Sequence, residues 1–353
     1  MLHVIKGRSG YGKTRYIWNH IFENLKSDEK IIVLVPEQFS FEAEKLFCKF
    51  QAINQENNQS FNVEVLSFKR LSDIVFREYG GLTKKTLNNV KISIIINNIL
   101  NEIKDELKVY KRQTGSQTFV RDIISVISIF NSNNITFDDI KQCIEKIENN
   151  LLVAKLEDIF KIYKAYHQKI NEKYNDDSNI LNLVHQKLKS NNFFKNYKIY
   201  IDGFTSFTQS EFNILEQMMI QSKDVYISLC LDEHTNQYGI LRHIYKTNLK
   251  LMSIAQKNGI LVDDDILLKV PRRFKSRDLI ALENFIFDFF SGNNIKPKRR
   301  FNLEDDVNVI ECNNIKQEVM YTASKISYLI KEKNYKYNEI SLIVKDVDNY
   351  KPY

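Results

Sequence analysis

The sequence is short of everything that marks a membrane or secreted protein. No apolar run reaches the roughly 18 residues that a membrane span needs. The first residues form no signal peptide, because a glycine-rich loop interrupts them at once. Cysteine is scarce. Cys48, Cys143, Cys230 and Cys312 lie far apart and form no CxxC pair, so neither a zinc site nor a disulfide framework is indicated. Buried free thiols in a reducing cytoplasm are the expectation. An excess of one charge sign is also missing: Lys and Arg total 51 against 44 Asp and Glu, a net charge of +7. Such a balance tolerates a polyanionic partner without demanding one. Internal repeats and low-complexity tracts are absent as well.

What remains is the make-up of an ordinary globular protein. The 353 residues are 43% hydrophobic and 27% charged. At roughly 100–200 residues per domain, that length corresponds to about two or three domains. Residues 1–80 alternate short β-branched runs, "LHVIKG", "IIVLVPE" and "VEVLSF", with helical segments, which is the pattern of βαβ units and a parallel sheet. Residues 81–192 hold no convincing strand and read as an all-helical insertion. Within it Leu156, Ile159, Phe160, Tyr163, His167 and Ile170 recur on one helical face, and Thr136 with Asp139 has capping-box spacing. Strands return over 193–291 with "YKIYIDGF" and "DVYISLCL". The stretch "GNNIKPKRRFNLEDD" reads as a linker, and "VNVIEC", "IKQEVMYTASKISYLIKEKN" and "ISLIVKD" as strand, helix and strand. The sequence ends at "NYKPY" before that last unit closes, so a fragment of a longer chain is expected.

One motif carries chemistry. "GRSGYGKT" fits G-x-x-x-x-G-K-[ST] over Gly7, Arg8, Ser9, Gly10, Tyr11, Gly12, Lys13 and Thr14, after an apolar strand and before an amphipathic helix. Glycines let the backbone wrap so that successive N–H groups face phosphate oxygens, and the helix dipole adds to the attraction. Lys13 would reach the β- and γ-phosphates and the Thr14 hydroxyl would ligate Mg²⁺, so Mg-ATP is the expected cofactor. The site also needs an acid at a neighbouring strand tip to hold the metal. Asp202 in "IYIDGF" is the candidate, with a plain strand-end turn as the alternative. In hydrolysing helicase-type ATPases the next residue is usually the Glu that polarises water; here it is Gly203. Without a general base the site binds and does not turn over. No Gln-bearing motif precedes the loop to read adenine.

"GRSGYGKT", "VLVPEQFSFEAEK", "VLSFKRLS" and "YIDGFTSFTQSEFNILEQ", in that order, resemble the N-terminal part of the AddB family. These are the B subunits of the bacterial ATP-dependent helicase/deoxyribonuclease, AddAB or RexAB. A looser match continues through "EVMYTASKISYLIKEKNYKYNEISLIVKD". The resemblance implies a P-loop RecA-like, superfamily-1 helicase-like α/β architecture. In it, residues 1–80 and 193–291 form one RecA-like domain, 81–192 its helical insertion, and 292–353 a linker and the start of a second RecA-like domain. It implies a heterodimer with an AddA-type helicase–nuclease subunit, single-stranded DNA from broken duplex ends, and Chi recognition during recombinational repair. The family's nuclease domain, with its Mg²⁺, and its iron–sulfur cluster would lie outside these residues. The run Asp263, Asp264, Asp265 reads as a solvated turn and not as a nuclease centre.

In such a domain single-stranded DNA crosses the loops after the strand ends. The candidates are Gln38, Ser40 and Phe41; Ser67, Phe68 and Arg70; and Phe204, Thr205, Phe207 and Thr208. Aromatic rings stack on bases, and amide, hydroxyl and guanidinium groups bond base edges or phosphates. Each has a bland alternative: Phe41 and Phe68 as core, Ser40 as a helix cap, Arg70 paired with an acid such as Asp73. In "VPRRFKSRDL", Arg272 or Arg273 would reach a γ-phosphate or a DNA phosphate, or simply open a solvated helix. Two other readings remain open: an active helicase motor and a P-loop small-molecule kinase.

Overall fold

The computed structural model describes all residues except 25–28, 54–61, 82–84, 88, 172–173, 177–178, 234 and 291–306. In chain order the elements begin with β1 (Leu2–Lys6), α1 (Lys13–Glu23), β2 (Lys30–Leu34), α2 (Ser40–Ile53), β3 (Val63–Leu66) and α3 (Phe68–Tyr79). A helical block follows: β4 (Lys85–Leu87), α4 (Asn89–Glu102), α5 (Gln117–Ser132), α6 (Phe137–Glu145), α7 (Asn150–Asn171) and β5 (Tyr174–Asp176). The chain then continues through α8 (Ile180–Ser190), β6 (Tyr197–Ile201), α9 (Gln209–Gln221), β7 (Asp224–Leu229), α10 (Arg242–Lys257), β8 (Ile266–Leu267), α11 (Arg277–Phe290) and α12 (Ile315–Lys333).

Six strands form one sheet in the order β3-β2-β6-β7-β1-β8. Every pairing in it is parallel. Parallel strands need crossovers, and crossovers cover both faces with helices, so such strands must be apolar on both sides. The run "IIVLV" does this: Ile31 and Val33 join one core with Trp18 and Ile21 of α1, while Ile32 and Leu34 join another with Leu71 of α3 and Leu215 of α9. The two alternate because side chains on a strand point to opposite faces. With the glycine loop after the first strand of a parallel sheet, this is an α/β fold of the RecA-like kind.

The helical block has its own core, with Ile96, Ile99, Ile123, Ile127, Tyr163 and Tyr166 inside it. Fully buried Asp158 on α7 ties down the segment before α5, accepting backbone N–H bonds from Lys108, Val109 and Tyr110 at 2.9, 2.7 and 3.1 Å. The capping box of Thr136 and Asp139 is formed. The block does contain strand after all, since β4 and β5 pair in parallel at its start and end. Three residues of strand carry no readable periodicity, which is why "KTL" and "YND" pass unnoticed in the sequence.

A second unit comprises Lys275–Phe285 and 295–353. In it α12 is capped by Asn314, whose side chain accepts from the Gln317 N–H at 2.9 Å, and ends at left-handed Asn334. The flanking runs "VNVIEC" and "ISLIVKD" are not strands; Val309 and Ile343 are 94% and 92% exposed. A strand persists only with a ladder partner for its backbone groups, and among the described residues neither run has one. The expected linker "GNNIKPKRRFNLEDD" lies outside the described residues. The cysteines are free but none is buried: Cys48 and Cys143 are exposed, Cys230 and Cys312 half-buried. Among the described residues no helix is long and apolar enough to cross a membrane.

At the sheet end opposite the glycine loop, rings of His3, Tyr226 and Tyr200 stack across three neighbouring strands. Tyr200 shares a hydrogen bond with His20 of α1, at 3.0 Å. Burial lowers the His20 pKa, and Lys198 and His3 add to the effect. The folded state therefore keeps His20 neutral where the unfolded chain would protonate it. Stability is full above the ordinary histidine pKa of about 6.5 and is lost as pH falls below it, at up to ~1.4 kcal/mol per pH unit for the proton concerned. The thermal midpoint should fall between pH 6.5 and 5, and His20→Gln should flatten that slope; an unchanged slope in the variant would contradict this.

Candidate nucleotide site and nucleic-acid interface

The glycine loop hangs between strand ends. The Gly7 N–H donates to the Leu229 carbonyl at the end of β7, at 3.3 Å. Gly10 and Gly12 have φ of +81° and +89°, where a Cβ is strained. A Cβ on Gly10 would also stand 2.7 Å from that of Arg273. Gly12 caps α1 without a side-chain bond. First-turn N–H groups have no acceptor within their own helix, and here no cap side chain competes for them, so the helix start is suited to an anion. The Lys13 ammonium lies back on the loop, donating to the carbonyls of Gly7 and Arg8 at 2.7 and 2.9 Å. Burial lowers its pKa; Cys230 and Asp202 oppose this, and Arg273 adds to it.

Asp202 follows β6 and is only 8% exposed. Its Oδ2 accepts from the Thr14 hydroxyl at 2.6 Å, and its Oδ1 from the Ser228 hydroxyl on β7. An ammonium, a hydroxyl, a carboxylate and a row of N–H groups are the donor set that Mg-ATP calls for, so the residues present fit that cofactor. Lys13 would hold phosphate oxygens, and Thr14 with Asp202 the metal. Arg8 is spent elsewhere, its Nε donating to Asp232 after β7 at 2.6 Å. Ser9 is exposed and Tyr11 buried. The backbone N–H groups of Arg272 and Arg273 both donate to the Gly10 carbonyl, at 2.9 and 3.0 Å, which sets these two residues on the glycine loop.

Gly203 is more than a missing glutamate. Its φ is +83°, and a Cβ there would lie 3.3 Å from Pro36 Cδ and 3.5 Å from Phe39 Cδ2. The turn that carries the chain from Asp202 into the next loop is one that side chains adopt only with strain.

The three loops picked out for DNA converge at the ends of β2, β3 and β6. Phe68 meets Phe204 and Phe207 edge-on, at 5.7 and 6.3 Å between ring centres, and Phe204 stacks on Phe207 at 4.8 Å. Phe68 is core, and Phe204 and Phe207 pack half-buried against that core, so Phe207 is no isolated loop ring. Phe41, in the first turn of α2, stands out at 70% exposed, and Gln38 and Phe39 just before the helix are also exposed. Ser40 makes no cap: its hydroxyl is buried and has no hydrogen-bond partner among the described residues. Ser67 caps α3, accepting from the Arg70 N–H, and donates to Glu37. Thr208 caps α9 in a capping box with Glu211. Thr205 is exposed, its carbonyl accepting from Thr247 at 3.2 Å. Arg70 pairs with Glu44, not with Asp73.

Glu37 and Glu44 are what sequence reasoning missed. Glu44 meets Arg70 from 26 residues away along the chain, a pairing that no local spacing signals. Ser228 and Asp232, on and after β7, gave no signal either. The Asp263–Asp265 turn faces β1, with Asp263 on His3 Nδ1 at 2.9 Å and Asp265 on Lys6.

A family model described as "ADDB, N-terminal" matches residues 4–283. The chain is 31% identical to a protein of Clostridium kluyveri, 32% to one of Clostridium tetani and 30% to one of a Thermoanaerobacter species, each over 99% of its length. All three are named as the B subunit of the ATP-dependent helicase/deoxyribonuclease. The chain spans about 30% of the length of these relatives.

Gly203→Ala should lower stability by about 1–2 kcal/mol, the cost of a side chain in a left-handed turn. Urea unfolding measures it; an unchanged midpoint would mean that the turn relaxes freely.

Proposed function

The chain belongs to the AddB N-terminal family, and on that premise we propose that it is a helicase-like module that holds Mg-ATP without hydrolysing it and reads single-stranded DNA. The observation that carries the reading is the Asp202–Gly203 pair. Asp202 completes a phosphate and metal donor set, while Gly203, in a left-handed turn that a side chain would strain, stands in the place of a general base. The same turn leads into the Phe204–Thr208 loop, which packs on Phe68 beside Ser67 and Arg70. Nucleotide and strand would thus be held on two sides of one turn. Arg272 or Arg273 would approach the γ-phosphate.

The wider role follows from the relatives. Their names describe the B subunit of a helicase/deoxyribonuclease. We assign this chain to a DNA-repair complex with an AddA-type partner that translocates. Its task there would be to sense Chi in the single strand during end processing.

Fluorescence anisotropy with labelled single-stranded and duplex DNA at several salt concentrations tests the reading. Single-strand preference is expected, with a salt slope of about −0.7 per phosphate contacted. Phe41→Ala and Arg70→Ala should each cost roughly 1–3 kcal/mol. Glu44→Gln should tighten binding, by no more than the ~1 kcal/mol that an exposed ion pair holds back. Lys13→Ala should remove nucleotide affinity and spare the strand. Equal loss of both ligands in Lys13→Ala, or weaker binding in Glu44→Gln, would contradict the assignment.

A further inference from the structure

The helical block contains a half-open cavity of ≈ 240 Å³ that neither the nucleotide loop nor the three DNA loops use. Its walls come from the end of α5, the start of α6, the middle of α7 and the start of α8. We propose that it is a nucleobase subsite, taking one base splayed out of the single strand; this rests on the DNA reading above.

Chemistry narrows the ligand. Phe130, Phe137, Tyr163 and His167 supply rings, and Asn131, Asn134, Asn179 and Asn182 supply amides; His167 is the only titratable side chain other than Tyr163, and no Lys, Arg, Asp or Glu lines the space. A phosphate would find no lysine or arginine there, and an alkyl chain would make no use of the polar side chains on the wall. A flat, uncharged heterocycle with donors and acceptors on one edge satisfies both kinds of wall. The volume lies below the roughly 300–1,000 Å³ of sites for whole drug-sized ligands, which suits a base and not a nucleotide.

Location supplies the strand. Ser210, in the first turn of α9, donates to Asn182 Oδ1 at 2.7 Å and to the Asn131 carbonyl at 3.4 Å. The cavity wall is thereby bonded to the helix that Thr208 caps, directly after the loop proposed to carry DNA. The wall is also fixed in advance. The Tyr163 hydroxyl donates to Asn131 Oδ1 at 2.9 Å, Asn134 holds a left-handed turn at φ 55°, and the capping box sets the start of α6. Preorganised groups lose little freedom on binding.

The test uses the full-length protein and anisotropy with a labelled single strand in which an abasic site is moved one nucleotide at a time. In the wild type one position should weaken binding roughly tenfold, within the value of a single base–aromatic contact. Asn134→Gly, which suits the left-handed backbone, and Asn179→Ala should weaken the intact strand and erase that peak. Should Asn179→Ala loosen α8, Asn134→Gly decides. A flat scan in the wild type, or a peak that survives Asn134→Gly, overturns the subsite while leaving strand binding intact. A wild type that binds no single strand overturns the underlying reading and the subsite with it. Free nucleosides form the last arm: binding that Asn134→Gly abolishes, together with a flat scan, would assign the cavity to a free base and against the strand.

Discussion

The structure turns on the carboxylate of Asp202. It sits at the end of β6, held by a hydroxyl from α1 and another from β7, and so joins three elements of the sheet's loop-bearing end at one point. Burying an ionised carboxylate is costly unless its oxygens are hydrogen-bonded, and here each oxygen has a donor. A bound metal would draw on the same oxygens and on Thr14. The residue that follows, Gly203, turns the chain left-handed against Pro36 and Phe39 of the neighbouring loop. One dipeptide therefore links the glycine-loop side to the Phe204–Thr208 loop, the two sides proposed above for nucleotide and strand.

That coupling explains why a full donor set and a missing base can coexist. Lys13, Thr14 and Asp202 are held by bonds to the protein itself. A Glu at position 203 would ask for a different turn, because its Cβ would crowd Pro36 and Phe39. On the strand side, the acids set the terms. Glu44 neutralises Arg70, and Glu37 engages Ser67. On the DNA reading proposed above, a phosphate would compete with the first and a base edge with the second, which would make binding conditional on what the strand offers.

Much of this was legible in the sequence. Runs such as "IIVLV" and "IYID" are apolar on both faces because both faces of a parallel sheet are covered, and each proved to be a strand. "GRSGYGKT" announces its loop because only glycine fits φ near +80° beside Arg273. The failures have physical causes too. β4 and β5 are too short for periodicity, and "VNVIEC" and "ISLIVKD" carry strand propensity without a ladder. Phe41 and Phe207 have similar local surroundings in sequence, yet one is exposed and the other packed, because the aromatic partners of Phe207 come from two other positions, Phe68 and Phe204. Arg70 pairs in space and not along the chain: the alternative acid Asp73 is near in sequence, but Glu44 of α2 is the one it meets.

The most direct measurement asks what becomes of bound nucleotide. Full-length protein, free of any partner subunit and in excess over Mg-ATP, would be incubated with single-stranded DNA, and the retained nucleotide recovered and identified. Retained ATP, unchanged over many minutes, is the predicted result. Conversion to ADP that DNA accelerates would show that Gly203 does not silence the site, and a protein that retains no nucleotide would contradict the role given to Lys13, Thr14 and Asp202.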